Sequence, residues 1–137
     1  MEDLEKDEYD RRLTGNTGEL LLCWILKHNY RIDAQRFDVE AFDIIAFDSE
    51  NKLFRKGIPP FYVQVKTMKK AEKEAHNPNL MVVSKIKKRA EKMKVNLDSL
   101  YFSMGFFEKD IRETKFWIIP ITEMDKLLGR KKTSYNL

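Results

Sequence analysis

Asp43 opens the apolar run Ile44-Ile45-Ala46-Phe47, and after twenty intervening residues Gln64 and Lys66 stand two apart in Phe61-Tyr62-Val63-Gln64-Val65-Lys66-Thr67. A carboxylate at the mouth of a buried strand is costly unless something pairs with it. Gln64 offers a neutral carbonyl oxygen and Lys66 an ammonium, and period-two alternation puts both on one face of a strand. Hard oxygen donors beside a cationic side chain suit hydrolysis of a phosphodiester with a divalent cation. The oxygens hold Mg²⁺ or Mn²⁺, and the lysine faces the attacking water or the developing negative charge. Taken singly, Asp43 reads as a strand-end acid and Lys66 as a surface residue; their joint spacing and phase carry the argument. His28 and His76 have no partner at ligand spacing and read as structural or surface residues. The one cysteine, Cys23, lies inside an apolar run as a small core residue, so neither a disulfide nor a cysteine-based metal site is expected.

The elements that must position these side chains follow from the pattern. Thr14, Asn16 and Thr17 are N-cap choices ahead of the run Leu20 to Leu26, with Glu19 in the first turn, where an acid suits the helix dipole. That run is apolar on every side, which predicts a helix buried against a sheet, with Asn29 as its left-handed cap. Residues 30–37 and 41–47 predict two neighbouring strands, 48–51 a turn, and 61–67 a third strand entered through Pro59-Pro60. Residues 76–79 predict a loop and 80–83 a short extended piece. Ser84 is expected to cap a helix over 85–97, with Ile86, Ala90, Met93 and Leu97 on its apolar face. Residues 99–107 and 115–121 predict two more strands, and Thr122 the cap of a last short helix. The expected fold is α/β, a mixed central sheet flanked by helices with an α-β-β-β-α-β core. No repeat or linker divides the chain, so one domain is expected over 1–137. Its core is about 14–121, with a polar arm or short first helix over 1–13 and a short helix and basic tail over 122–137.

At 137 residues, with 42% hydrophobic and 35% charged residues, the chain can bury a sizeable core and is not of disordered composition. No apolar run approaches the roughly 20 residues of a membrane span, and the acidic start is unlike a targeting segment. A cytoplasmic protein without a membrane partner is expected. The net charge is +4 and the sequence pI about 9.1. Acids crowd the first ten residues, whereas Lys and Arg crowd 66–70, 85–94 and 130–132. Such blocks can hold a polyanion; the plainer reading is a solvated helix face.

Asp43, twenty residues, then Gln64-Val65-Lys66 resembles the signature of the PD-(D/E)XK nuclease superfamily. There an Asp begins the second core strand, the (D/E)-x-K triplet lies on the third, and a helical Glu completes the site. Glu19 matches that Glu in position and order, and the similarity covers roughly residues 14–107. Phe42 stands where the namesake Pro would be, and Gln64 where Asp or Glu is usual; some branches are similar in carrying Q-x-K. The small size and early Gly18-Glu19 look most like archaeal Holliday-junction resolvases and related nucleases.

The resemblance implies a Mg²⁺- or Mn²⁺-dependent endonuclease on DNA, branched or duplex, acting as a homodimer in repair or recombination. Glu19, Asp43, the Gln64 oxygen and the Val65 backbone carbonyl would hold the ion, with Lys66 at the reacting phosphate. Lys69, Lys70, Lys85, Lys87, Lys88 and Arg89 would hold flanking phosphates, without base readout. A non-catalytic nucleic-acid-binding module of the same fold is the alternative, and a protein-interaction domain of unrelated α/β fold a third.

Overall fold

Alternating burial builds the strands. In β2 (Phe42–Phe47), Phe42, Ile44 and Ala46 are fully buried while Phe47 stays exposed. The computed structural model describes residues 2–39, 42–69, 80–107, 110–124 and 126. Around β2 it places α1 (Glu2–Tyr30), β1 (Asp33–Val39), β3 (Phe61–Lys69), α2 (Leu80–Met93), β4 (Leu100–Phe107) and β5 (Lys115–Pro120). The strands lie side by side in sequence order in one sheet. β1, β2 and β3 form an antiparallel meander. The chain then crosses over through α2, so that β4 runs parallel to β3, and β5 returns antiparallel to β4. The protein is thus α/β, with a mixed sheet flanked by helices, in the expected order.

The sheet's two faces take different helices. Phe61 and Val63 of β3 belong to the cluster containing Leu22, Cys23 and Leu26 of α1, and the partly buried Val65 packs against it. Tyr62, out of phase with them, packs with Val83, Ile86 and Ala90 of α2. Each fully buried large side chain contributes about 2–3 kcal/mol, and the sheet presents such residues to both sides. The β2–β3 connection is tied down at two points. The Asp48 carboxylate accepts the N–H groups of Lys52, Leu53 and Phe54 at 2.9, 2.8 and 3.0 Å. The buried Tyr101 hydroxyl donates to the Lys56 carbonyl at 2.6 Å and accepts its N–H at 2.9 Å. β3 therefore enters the sheet from a fixed start.

Helix boundaries differ from expectation. α1 does not begin at Thr14, Asn16 or Thr17; it runs unbroken through Thr14-Gly15-Asn16-Thr17-Gly18-Glu19 and takes in the expected arm. Gly18 serves packing rather than capping, since a Cβ there would meet the Thr67 side chain, lying 2.5 Å from its Cβ. From Arg12 onward α1 leaves part of its surface to solvent, for Leu20 and Trp24 are both 55% exposed. After it, Arg31 rather than Asn29 takes the left-handed conformation (φ 56). α2 absorbs the expected extended piece, because Val83 continues the Ile86–Ala90 stripe, and Ser84 is an exposed interior position. Leu97 lies beyond α2, in a 3₁₀ turn (Leu97–Ser99). Thr122 is not a cap either: the last helical turn begins at 121, and the Thr122 hydroxyl is buried without a hydrogen bond. Between α1 and β5 lies an apolar groove of about 760 Å³, lined by Trp24, Tyr30, Phe116 and Trp117 among others.

Candidate functional site

The β2–β3 ladder pairs Ala46 with Phe61, Ile45 with Tyr62 and Ile44 with Val63. Continued one step, the register would oppose Asp43 and Gln64. Instead the Asp43 side chain takes over: its Oδ2 accepts the Val65 N–H at 2.7 Å. The acid at the strand mouth thus satisfies a backbone donor where the two strands part, and it is half-buried there. Such a charge-assisted bond is stronger than a neutral one.

α1 delivers the second carboxylate. With Gly18 set against Thr67, the next residue, Glu19, stands beside β1 and β2. Its Oε2 accepts from Arg36 Nη2 at 2.7 Å, and the same nitrogen donates to Asn16 Oδ1 at 3.1 Å. The Glu19 side chain is 16% exposed and that of Arg36 46%. Burial, followed by the charge of Asp43 and a carboxyl–carboxyl hydrogen bond to it, pushes the Glu19 pKa up from the ordinary 4.5 to about 7, against the opposing pull of Arg36. Asn16, Glu19, Arg36, Phe37 and Asp43 line one open pocket of about 450 Å³.

Of the four expected site residues, Glu19 and Asp43 line one pocket. Gln64 and Lys66 share one face of β3, as the alternation requires, opposite Val65 and Thr67. They do not line the pocket with the two acids. Gln64 is half-buried, and its Oε1 is buried without a hydrogen-bond partner; Lys66 is exposed. Val65 meets Asp43 through its N–H rather than its carbonyl. On α2, Lys85 and Lys88 are exposed, while Lys87 and Arg89 are half-buried. Lys69 closes β3; Lys70 and His76 lie outside the described residues. His28 stacks on Trp24, ring centroids 4.4 Å apart.

Arg36 and Asn16 were not legible as site residues. The available signal was phase: on β1, Arg36 stands two residues from the fully buried Ala34 and pairs with Ile44, so the alternation turns it toward the covered side of the sheet. An arginine in that phase needs a partner.

Among the described residues no group of three or more His, Cys, Asp or Glu side chains could hold a metal. Mg²⁺ needs fewer, being held by one or two carboxylates plus waters and substrate oxygens. Two carboxylates in one open pocket meet that requirement. The donor set fits such an ion. No helix among the described residues is long and apolar enough to cross a membrane. In comparison with known proteins, the chain matches no family, no curated protein and no solved structure.

Proposed function

We propose that this protein is a divalent-metal-dependent endonuclease of the PD-(D/E)XK type, hydrolysing phosphodiester bonds of DNA. One observation carries the reading: Glu19 and Asp43 line one open pocket at the point where β2 and β3 part, within an α-β-β-β-α-β order. Glu19 and Asp43, with the Gln64 oxygen and the Val65 carbonyl, are the groups that would hold Mg²⁺ or Mn²⁺. When bound, the ion would lower the pKa of a water and polarise a phosphate oxygen. Lys66 supplies positive charge to the phosphate as negative charge develops on it. The exposed lysines of α2, with Lys69 and Lys70, hold flanking phosphates and give affinity without sequence readout. Action on branched or duplex DNA, as a homodimer in the cytoplasm, belongs to the same proposal.

The second reading, a binding-only module of this fold, is favoured by Gln64 in place of an acid and by the ion pair that already engages Glu19. A panel of branched and linear DNAs incubated with Mg²⁺ or Mn²⁺ separates the two, with Asp43→Asn as the control. Asparagine keeps an oxygen for the Val65 N–H but removes the charge. Cleavage by the wild type should fall by at least about 100-fold in the variant, since removing a direct ligand exceeds the loss seen for outer-shell partners. Undiminished cleavage by Asp43→Asn would remove the proposed site, and DNA binding without any cleavage would favour the second reading.

A further inference from the structure

We infer that Arg36 is the exchangeable cation of the carboxylate pocket: it neutralises Glu19 while no divalent ion is bound and engages substrate phosphate once one is. The inference rests on the metal-binding reading above. Glu19 is the anchored partner, on a helix pressed against β3 through Gly18, whereas Arg36 is nearly half exposed at its charged end. The pair therefore opens by movement of the arginine. β1 carries a register irregularity between Arg36 and Val39, the kind of bulge that re-aims a side chain. Both bonds of the guanidinium, to Glu19 and to Asn16, are made by Nη2 on the pocket wall.

The sign of the competition follows from charge. With both acids ionised, Glu19, Asp43 and Arg36 sum to −1; without the arginine the pocket holds −2. A divalent ion is drawn more strongly to the latter. With Glu19 engaged by a bound cation, the guanidinium would be free to pair with a substrate phosphate. Its planar fork suits two phosphate oxygens, which a lysine cannot match. A purely structural arginine, one that only braces Glu19, makes the opposite prediction: its loss would disorder the carboxylate and weaken metal binding.

Calorimetric titration of Mn²⁺ into the full chain, without DNA, distinguishes these. Arg36→Gln should bind Mn²⁺ about tenfold more tightly than the wild type. In parallel, with Ca²⁺ replacing Mn²⁺, fluorescence anisotropy should show a labelled duplex bound several-fold more weakly. Arg36→Lys keeps the charge and should leave Mn²⁺ affinity within about twofold of wild type while still weakening the duplex; it also serves if the glutamine variant does not fold. Unchanged or weaker Mn²⁺ binding by Arg36→Gln would overturn the inference while leaving the metal reading intact. Tighter Mn²⁺ binding with unaltered DNA affinity would refute the phosphate role. Absence of Mn²⁺ binding by the wild type would instead sink the metal reading, and this inference with it.

Discussion

Gln64 carries a buried carbonyl oxygen that accepts no hydrogen bond, and an orphaned acceptor of this kind costs about 1–3 kcal/mol. A cation or a donor approaching that oxygen would offset the cost. Gln64→Glu should therefore lower the Mg²⁺ concentration for half-maximal cleavage by about tenfold, through the added charge on a hard ligand. The dependence of cleavage rate on Mg²⁺ checks this; an unchanged half-point would mean that Gln64 faces away from the ion. At this scale the sequence was partly transparent. The type and period of Gln64 and Lys66 placed them on one face, and the cost of a strand-mouth acid required a partner for Asp43. The partner itself, the Val65 N–H, was hidden because it depends on where the ladder stops. Arg36 was hidden because a single arginine in a strand also serves solubility.

Glycine in a helix ordinarily costs up to about 1 kcal/mol relative to alanine, yet α1 carries Gly18 at its crossing with β3. Gly18→Ala should destabilise the protein by about 1–3 kcal/mol, because the new methyl overlaps the Thr67 side chain and outweighs the gain in propensity. Urea unfolding of Gly18→Ala, Thr67→Gly and the double variant, in which the Cβ at 67 is gone as well, measures this as a coupling. The double variant should recover most of the loss, and simple additivity would show that the helix shifts freely. The same contact explains the misplaced helix start. Thr14-Gly15-Asn16-Thr17-Gly18-Glu19 has the composition of a cap, and only the approach of β3 reveals it as a packing surface. The strands were read more closely than the helices, since alternation marks them locally. Ser84 likewise resembled a cap until the buried stripe was seen to begin at Val83.

For the molecule as a whole, the meander, the crossover and the two covered faces followed from the order of patterns, because short connections leave few arrangements open. The acid–base behaviour of Glu19 was not readable, since it arises from Asp43 and Arg36, far away in sequence. Glu19, raised to about 7 from 4.5, holds more protons folded than unfolded between those values. The stability it contributes is complete below pH 4.5 and declines as pH rises through 7, by on the order of 1–2 kcal/mol once solvent screening is allowed for. Asp48 acts oppositely. Burial raises its pKa, but the N–H groups of Lys52, Phe54 and Leu53 outweigh that and hold it below 3.8. Its contribution is present above pH 3.8 and is lost as pH falls through the lower folded value. Metal-free protein should accordingly melt highest near pH 4–5 and lower toward pH 8, and Glu19→Gln should flatten the neutral limb. Thermal melts across that range test it; a wild-type midpoint that climbs steadily to pH 8 would contradict the pairing. The groove between α1 and β5 has an optical consequence. The chain's two tryptophans, Trp24 and Trp117, both line it, and neither lines the carboxylate pocket. Intrinsic emission therefore follows separation of the long helix from the edge strand, and an ion entering the pocket is best detected by its heat.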